Sequence, residues 1–288
     1  MSDSIKVDLG FVFATPMEAA GLVDLLENCV TSKGNGRIFH RGKLKKIPIA
    51  IVESGMGQEK AVAATNALLD IFCPSFIISA GYAGGLLPQL KRFSIHQPNL
   101  LLRISDGMSI DLSENMSKSQ KNFIRDNSYS SKNQPNESSN EDSHEDSQSI
   151  VTKNRNILIT VDQPIETVEQ KLLLGEKYGA EIVDMETFAI AETCIDRNLK
   201  SDNLNNVIRF NSVRIILDAA NDELPKEIKR IMQSYERSTA RMFGTTLSSL
   251  FRRPSIIFDL YSLKERALQA ADILSRYIVS TMLPNIVR

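Results

Sequence analysis

The chain is 288 residues long, enough for one large domain or two small ones. Its 34 basic and 35 acidic residues leave a net charge of -1, which argues against a protein that works by neutralising nucleic-acid phosphates. No apolar run reaches the roughly 20 residues of a membrane span, and residues 1–6 lack the basic-then-apolar profile of a signal peptide. Cys29, Cys73 and Cys194 form no even framework and no CxxC pair, and His40, His96 and His144 form no HExxH. A reduced, cytoplasmic setting without metal or organic cofactor is the expectation.

Residues 5–14 are rich in β-branched and aromatic side chains and predict a strand. Thr15 and Pro16 then cap and open a helix over about 17–28. Residues 37–41 and 47–53 predict two strands around a turn at Gly42-Lys43. Gly55-Met56-Gly57 leads into a helix over about 58–72, with Ala61, Ala64, Thr65, Leu68 and Leu69 at helical spacing and Pro74 as its stop. Residues 75–80 predict a buried strand ending in a Gly81-Tyr82-Ala83-Gly84-Gly85 loop, where backbone can approach a ligand closely. Residues 100–104 predict another strand. Cys73 and Cys194 read as small core residues.

Residues 113–149 hold eleven serines and six asparagines, too little apolar surface to offset ordering entropy, and predict a disordered insertion at 113–150. Beyond it come strands at 156–161, 181–183 and 207–217 and helices at 166–178, 186–197, 225–251 and 262–282. The alternation predicts an α/β fold, three layers with a central, twisted, mostly parallel or mixed sheet between helices. The expected division is a domain over 1–253 and a C-terminal helical extension over 254–288, with Leu263, Ala267, Leu268, Ala271, Leu274, Tyr277 and Ile278 on its inner side.

Ligands in such sheets sit beyond the carboxyl ends of strands. Three of those ends carry an acid just past an apolar strand: Glu18, Glu186 and Asp218. Each has a plain structural reading. Glu18 and Glu186 open helices and would complement a helix dipole, and Asp218 has Arg214 four residues before it. Asp218 is the strongest candidate, because a carboxylate directly after Arg-Ile-Ile-Leu is costly unless it caps a turn or does chemistry.

The stretches 14–18, SGMGQEKAVAATNALL (54–69), AGYAGGLLPQLK (80–91), VDMETFAIAETC (183–194) and VRIILDAAND (213–222) resemble the nucleoside phosphorylase superfamily. Within it they are similar to the methylthioadenosine/S-adenosylhomocysteine nucleosidases. The runs TVDQPIETVEQKLLL (160–174) and GAEIVDME (179–186), with the later Glu223-Leu224-Pro225, resemble the bacterial hopanoid-associated branch.

The resemblance implies hydrolysis of the bond between ribose and adenine in an adenosine with a modified 5′ position, methylthio-like or lipid. Asp218 stands at the general-acid position, Glu18 would orient the water, and Glu186 would hold the ribose hydroxyls with Met185 packed on the sugar. Gly55, Met56, Tyr82, Ala83, Gly84 and Ile165 would complete the substrate site. Phosphorylase members carry Arg where this chain has Glu18, so a carboxylate there favours water over phosphate. The family also implies a homodimer. Tyr82 in place of a small polar residue, Leu217 in place of Ser, and no aromatic near Gln163-Pro164 depart from the pattern. The alternatives are a phosphate-dependent phosphorylase and a catalytically weakened nucleoside-binding protein.

Overall fold

The computed structural model describes residues 6–112, 156–201, 207–222 and 254–286. The 113–150 insertion and the helix expected at 225–251 lie outside these residues.

Among the described residues, eleven strands form one mixed sheet: β1 (Leu9–Phe13), β2 (Glu27–Gly34), β3 (Arg37–Leu44), β4 (Ile47–Glu53), β5 (Phe76–Gly85), β6 (Ile95–His96), β7 (Leu100–Arg103), β8 (Met108–Asp111), β9 (Ile157–Thr160), β10 (Ile182–Asp184) and β11 (Arg209–Asp218). The order is β2-β3-β4-β1-β5-β10-β9-β7-β8, with β11 on the other edge of β5 and β6 beyond it. β5 is the hub. Its start pairs in parallel with β1 from Leu9↔Phe76, its whole length pairs in parallel with β11, and its last residues take β10 antiparallel at Val183↔Gly84.

Alternation along the strands sorts the core into layers. Leu9, Phe11, Phe13, Ile49, Ile51, Ile78, Ala80, Val213 and Ile215 pack against Ala19 and Leu22 of α1 (Pro16–Val23) and Ala270 and Leu274 of α5 (Pro254–Tyr277). Val12, Ala50, Val52, Ile77 and Ile216 pack against α2 (Gln58–Phe72) and α4 (Thr187–Lys200) on the other face. α3 (Val168–Tyr178) lies nearer the β9–β10 end, where Leu86, Ile159, Val161 and Val183 form a third cluster. The expected three-layer α/β architecture is present. The C-terminal helices share a core with β1: α5 continues through a π segment, Ile278–Met282, into α6 (Leu283–Ile286), and Ile278, Met282 and Leu283 are buried in that cluster.

Several local expectations are corrected. α1 ends at Val23 because β2 begins at Glu27, and β2 is exposed at every residue, so it has no apolar alternation to announce it. The β3–β4 turn is at Lys45-Lys46, both at positive φ, not at Gly42-Lys43. Gly81–Gly85 is not a loop but the end of β5, held by β11 and β10. Cys73 is exposed in the left-handed C-cap of α2, so only Cys194 is a core thiol. On α5, Leu268 faces solvent and Ala270 faces inward.

Candidate active site

Thr15 N-caps α1, its side-chain oxygen accepting from the Glu18 N–H at 3.3 Å. Glu18 completes a capping box, Oε2 accepting from the Thr15 N–H at 2.7 Å and the Thr15 hydroxyl at 2.9 Å. The cap alone does not account for Glu18. Its other oxygen, Oε1, accepts the Tyr82 N–H of β5 at 2.8 Å, and the side chain is buried. A Cβ on Gly81 would lie 2.6 Å from that oxygen, so the glycine is what lets the carboxyl reach the strand. Burial pushes the Glu18 pKa up, and the Tyr82 amide, the Arg214 charge and Thr15 oppose the shift.

The loop after β4 folds onto the carboxyl end of β1, just before Thr15. Ser54 N–H donates to Phe13 O at 2.8 Å and Gly55 N–H to Ala14 O at 2.9 Å. Gly57, at φ 98°, presents its N–H to Glu186 Oε1 at 2.7 Å, a backbone setting that favours glycine. Glu186 is the N-cap residue of α4 and is buried. Its pKa rises to about 8, first from burial and then from repulsion by Asp184, with a smaller push from Glu18, against the pull of the Gly57 amide and Arg214. Glu18 and Glu186, 168 positions apart in sequence, therefore sense each other's charge.

Beneath them lies a buried polar network. Asp184 Oδ2 accepts Arg214 Nη2 at 2.8 Å and the Thr187 N–H at 3.0 Å, besides the Thr187 hydroxyl, and Oδ1 accepts the Thr160 hydroxyl at 2.8 Å. Arg214 also donates to Ser79 Oγ at 2.7 Å. Arg214 is thus the partner of Asp184 and not of Asp218.

Asp218 stands opposite Gly84, just after a bulge at the end of β11. Leu217 is the extra residue and packs toward the α1–α5 face. Such a bulge re-aims the side chain that follows. Asp218 Oδ2 accepts Lys171 Nζ from α3 at 2.5 Å. Burial raises the Asp218 pKa, while Lys171 works against the rise and Asp222 adds to it. From the amide of Tyr82 to Gly84 is two residues of β5, roughly 7 Å. One strand therefore carries Glu18 at one point and Asp218 a short step further on, both at its carboxyl end.

The remaining expected residues fall around this strand end with different duties. Met185 and Ile165 pack with Val183 in the third cluster. Ala83 is buried in the α2–α4 layer, and Gly84 brings backbone close enough that an added Cβ would lie 3.4 Å from Asp218. Gly55 and Met56 are half-buried in the loop that leads to Gly57. Tyr82 is turned to α5, its hydroxyl donating to Ala267 O at 2.6 Å, and burial drives its phenol pKa upward. Lys171, Asp184 and Arg214 were not expected from sequence. Lys171 sits in Glu-Gln-Lys-Leu-Leu-Leu, where a lysine reads as a solvated side chain.

Residues 8–250 match the sequence model of the family described as Phosphorylase superfamily. A 5′-methylthioadenosine/S-adenosylhomocysteine nucleosidase of Geobacillus kaustophilus is 38% identical over 74 residues, 26% of this chain. That match spans about a third of the relative, 32% of its length. The fold is similar to a mutant nucleosidase of Helicobacter pylori with 5′-methylthioadenosine in its active site, with a TM-score of 0.58 and 16% identity over 97% of this chain and 100% of that one. Futalosine hydrolase of the same organism gives a TM-score of 0.60 and 15% identity over 96% and 98%. At such identities the likeness is one of fold.

Proposed function

The chain belongs to the phosphorylase superfamily, and on that premise we propose that it is a purine nucleosidase that hydrolyses the N-glycosidic bond of a 5′-modified adenosine. The observation that supports this reading is that Glu18 accepts the Tyr82 N–H of β5 and Asp218 stands opposite Gly84 of the same strand, with Glu186 close enough to Glu18 for its charge to be felt.

The bond between C1′ and N9 breaks with positive charge growing on ribose and negative charge on the base. Asp218 gives its proton to N7 of the departing base, and the N9 electron pair leaves with the base. Glu18 takes a proton from water as the water oxygen bonds to C1′. A carboxyl whose pKa is raised by burial is the stronger base for that task. Glu186 accepts hydrogen bonds from the ribose hydroxyls, and Met185 packs on the sugar. Each well-placed acid or base supplies about 10²–10⁴-fold.

Water is favoured over phosphate at this site. Glu18 is the carboxyl that faces the nucleophile, and the guanidinium that approaches it, Arg214, is committed to Asp184 and Ser79. A phosphate would meet the Glu18 carboxyl, which must be ionised to act as the base, with no free compensating cation from Arg214. The test is release of free base from methylthioadenosine, S-adenosylhomocysteine and inosine, with and without phosphate. Phosphate-independent adenine is expected. Ribose 1-phosphate as product would replace hydrolysis by phosphorolysis, and ligand-induced stabilisation without turnover would make the chain a binding protein. The same reading includes a homodimer, checked by light scattering on the purified chain.

A further inference from the structure

Lys171 is the least expected member of this site. It projects from the first turn of α3, yet only 1% of the residue is exposed. The helix is pressed against the end of β5: a Cβ on Gly175, one turn later, would lie 2.8 Å from Leu86 O. Lys171 spends its three N–H bonds on Asp218 Oδ2 at 2.5 Å, Ala219 O at 3.1 Å and Asp222 O at 3.1 Å. An ammonium has three donors and no acceptor. None is left for a substrate, so any influence on chemistry passes through Asp218.

The turn it grips is held a second time. Asp222 Oδ2 accepts the Ala219 N–H at 2.7 Å and Arg92 Nη2 at 2.6 Å. Asp218 is therefore faced by Lys171 from α3, by Asp222 from the turn with Arg92 of the β5–β6 connection behind it, and by Gly84 from β5.

We propose that Lys171 is a positioning residue for departure of the base: it clamps Oδ2 of Asp218, leaves Oδ1 to deliver the proton, and neutralises the carboxylate that remains. The inference rests on the function proposed above and deepens it. The O–H bond at Oδ1 breaks, an N–H bond forms at N7, and the O–H electron pair stays on Asp218 beside an ammonium that keeps its own protons. The pair regains a proton from solvent once the base has left. A lone carboxyl in this position would be well protonated but a weak acid, whereas the ammonium makes the same group a better donor.

Three variants test this through a pH profile, because a merely structural lysine would not move one. Lys171→Met removes charge and donors, Lys171→Gln keeps donors without charge, and Lys171→Arg keeps both. The expected result is that the high-pH limb of kcat moves up by at least about one unit in the Met and Gln variants, the size an adjacent opposite charge produces. Their plateau kcat should drop by about 10–100-fold, as for loss of a charge-assisted hydrogen bond. The Arg variant should keep the limb near its original position. If the Met variant does not fold, Gln against Arg makes the same comparison. A limb that stays in place in folded Gln or Met protein, with only a uniform loss of rate, overturns the proposal and leaves Lys171 as an anchor of the 219–222 turn.

A second readout needs no turnover. The Asp218 carboxyl can be titrated by infrared difference between each protein and the same protein carrying Asp218→Asn. Lys171→Gln should raise its midpoint, and an unchanged midpoint overturns the inference. If the intact chain releases no base from any nucleoside, the nucleosidase reading fails while this titration still decides what Lys171 does.

Discussion

Asp218, Glu18 and Glu186 show what a single residue can and cannot reveal in sequence. Asp218→Asn should lower base release by at least about 10²-fold while a nucleoside still stabilises the protein in a melting assay. Full activity would remove Asp218 from the acid's role. Glu186 makes a stability prediction with a definite sign. Its pKa is about 8 in the fold against 4.5 for a free glutamate side chain, so the folded state holds the proton more tightly. The favourable contribution is intact below about 4.5 and is lost as pH rises toward about 8. Glu186→Gln, which can still accept from the Gly57 amide, should melt above the parent protein at pH 8–9 and show no such advantage near pH 4. The gain is on the order of a few kcal/mol at most. These acids were legible because each follows an apolar strand. Lys171 and Arg214 were not, since the pairing that permits their burial comes from residues 47 and 30 positions away.

At the scale of elements, long alternating or helical runs announced themselves, and features set by neighbours did not. β2 has no buried side chain and exists because β3 supplies its hydrogen-bond partners. The glycine-rich end of β5 looked like a ligand loop, yet β11 and β10 pair with it and make it a strand, which is how it can hold Glu18 and Asp218 in fixed register. The bulge at Leu217 is equally silent in sequence, because the continuous apolar run Ile215-Ile216-Leu217 has no alternation for it to break. That rigidity is testable at Gly81. Gly81→Ala places a methyl 2.6 Å from Glu18 Oε1 and 3.3 Å from Arg214 Nη1, both in crowded buried surroundings. The carboxyl must give way, and a loss of about 1–3 kcal/mol in denaturant stability together with reduced kcat is expected. An unaffected rate would show that the Glu18–Tyr82 contact does not matter for turnover.

For the whole molecule, the layered α/β plan was readable from the order of elements, and the sharing of one core by β1 and α5 was not. Leu9 and Leu274 are 265 positions apart, so periodicity within either segment cannot report their contact. A further long-range meeting concerns the two sides of the serine-rich stretch. Leu112 N–H donates to Asn99 O at 2.8 Å, Asn99 N–H donates to Asn156 O at 3.0 Å, and Asn156 N–H donates to Asn99 Oδ1 at 3.0 Å. Replacing residues 113–155 by a short Gly/Ser linker should therefore leave the melting temperature and base release close to those of the parent. A collapse of either would give the insertion a structural or catalytic duty.

The Asn99 clasp carries a practical corollary. Because it seats both stumps against one residue, covalent continuity between them is dispensable in principle. Two separately expressed polypeptides, ending at 112 and starting at 156, are expected to find each other and reconstitute activity. That would turn this protein into a complementation pair whose catalytic signal reports on whatever is fused at the break.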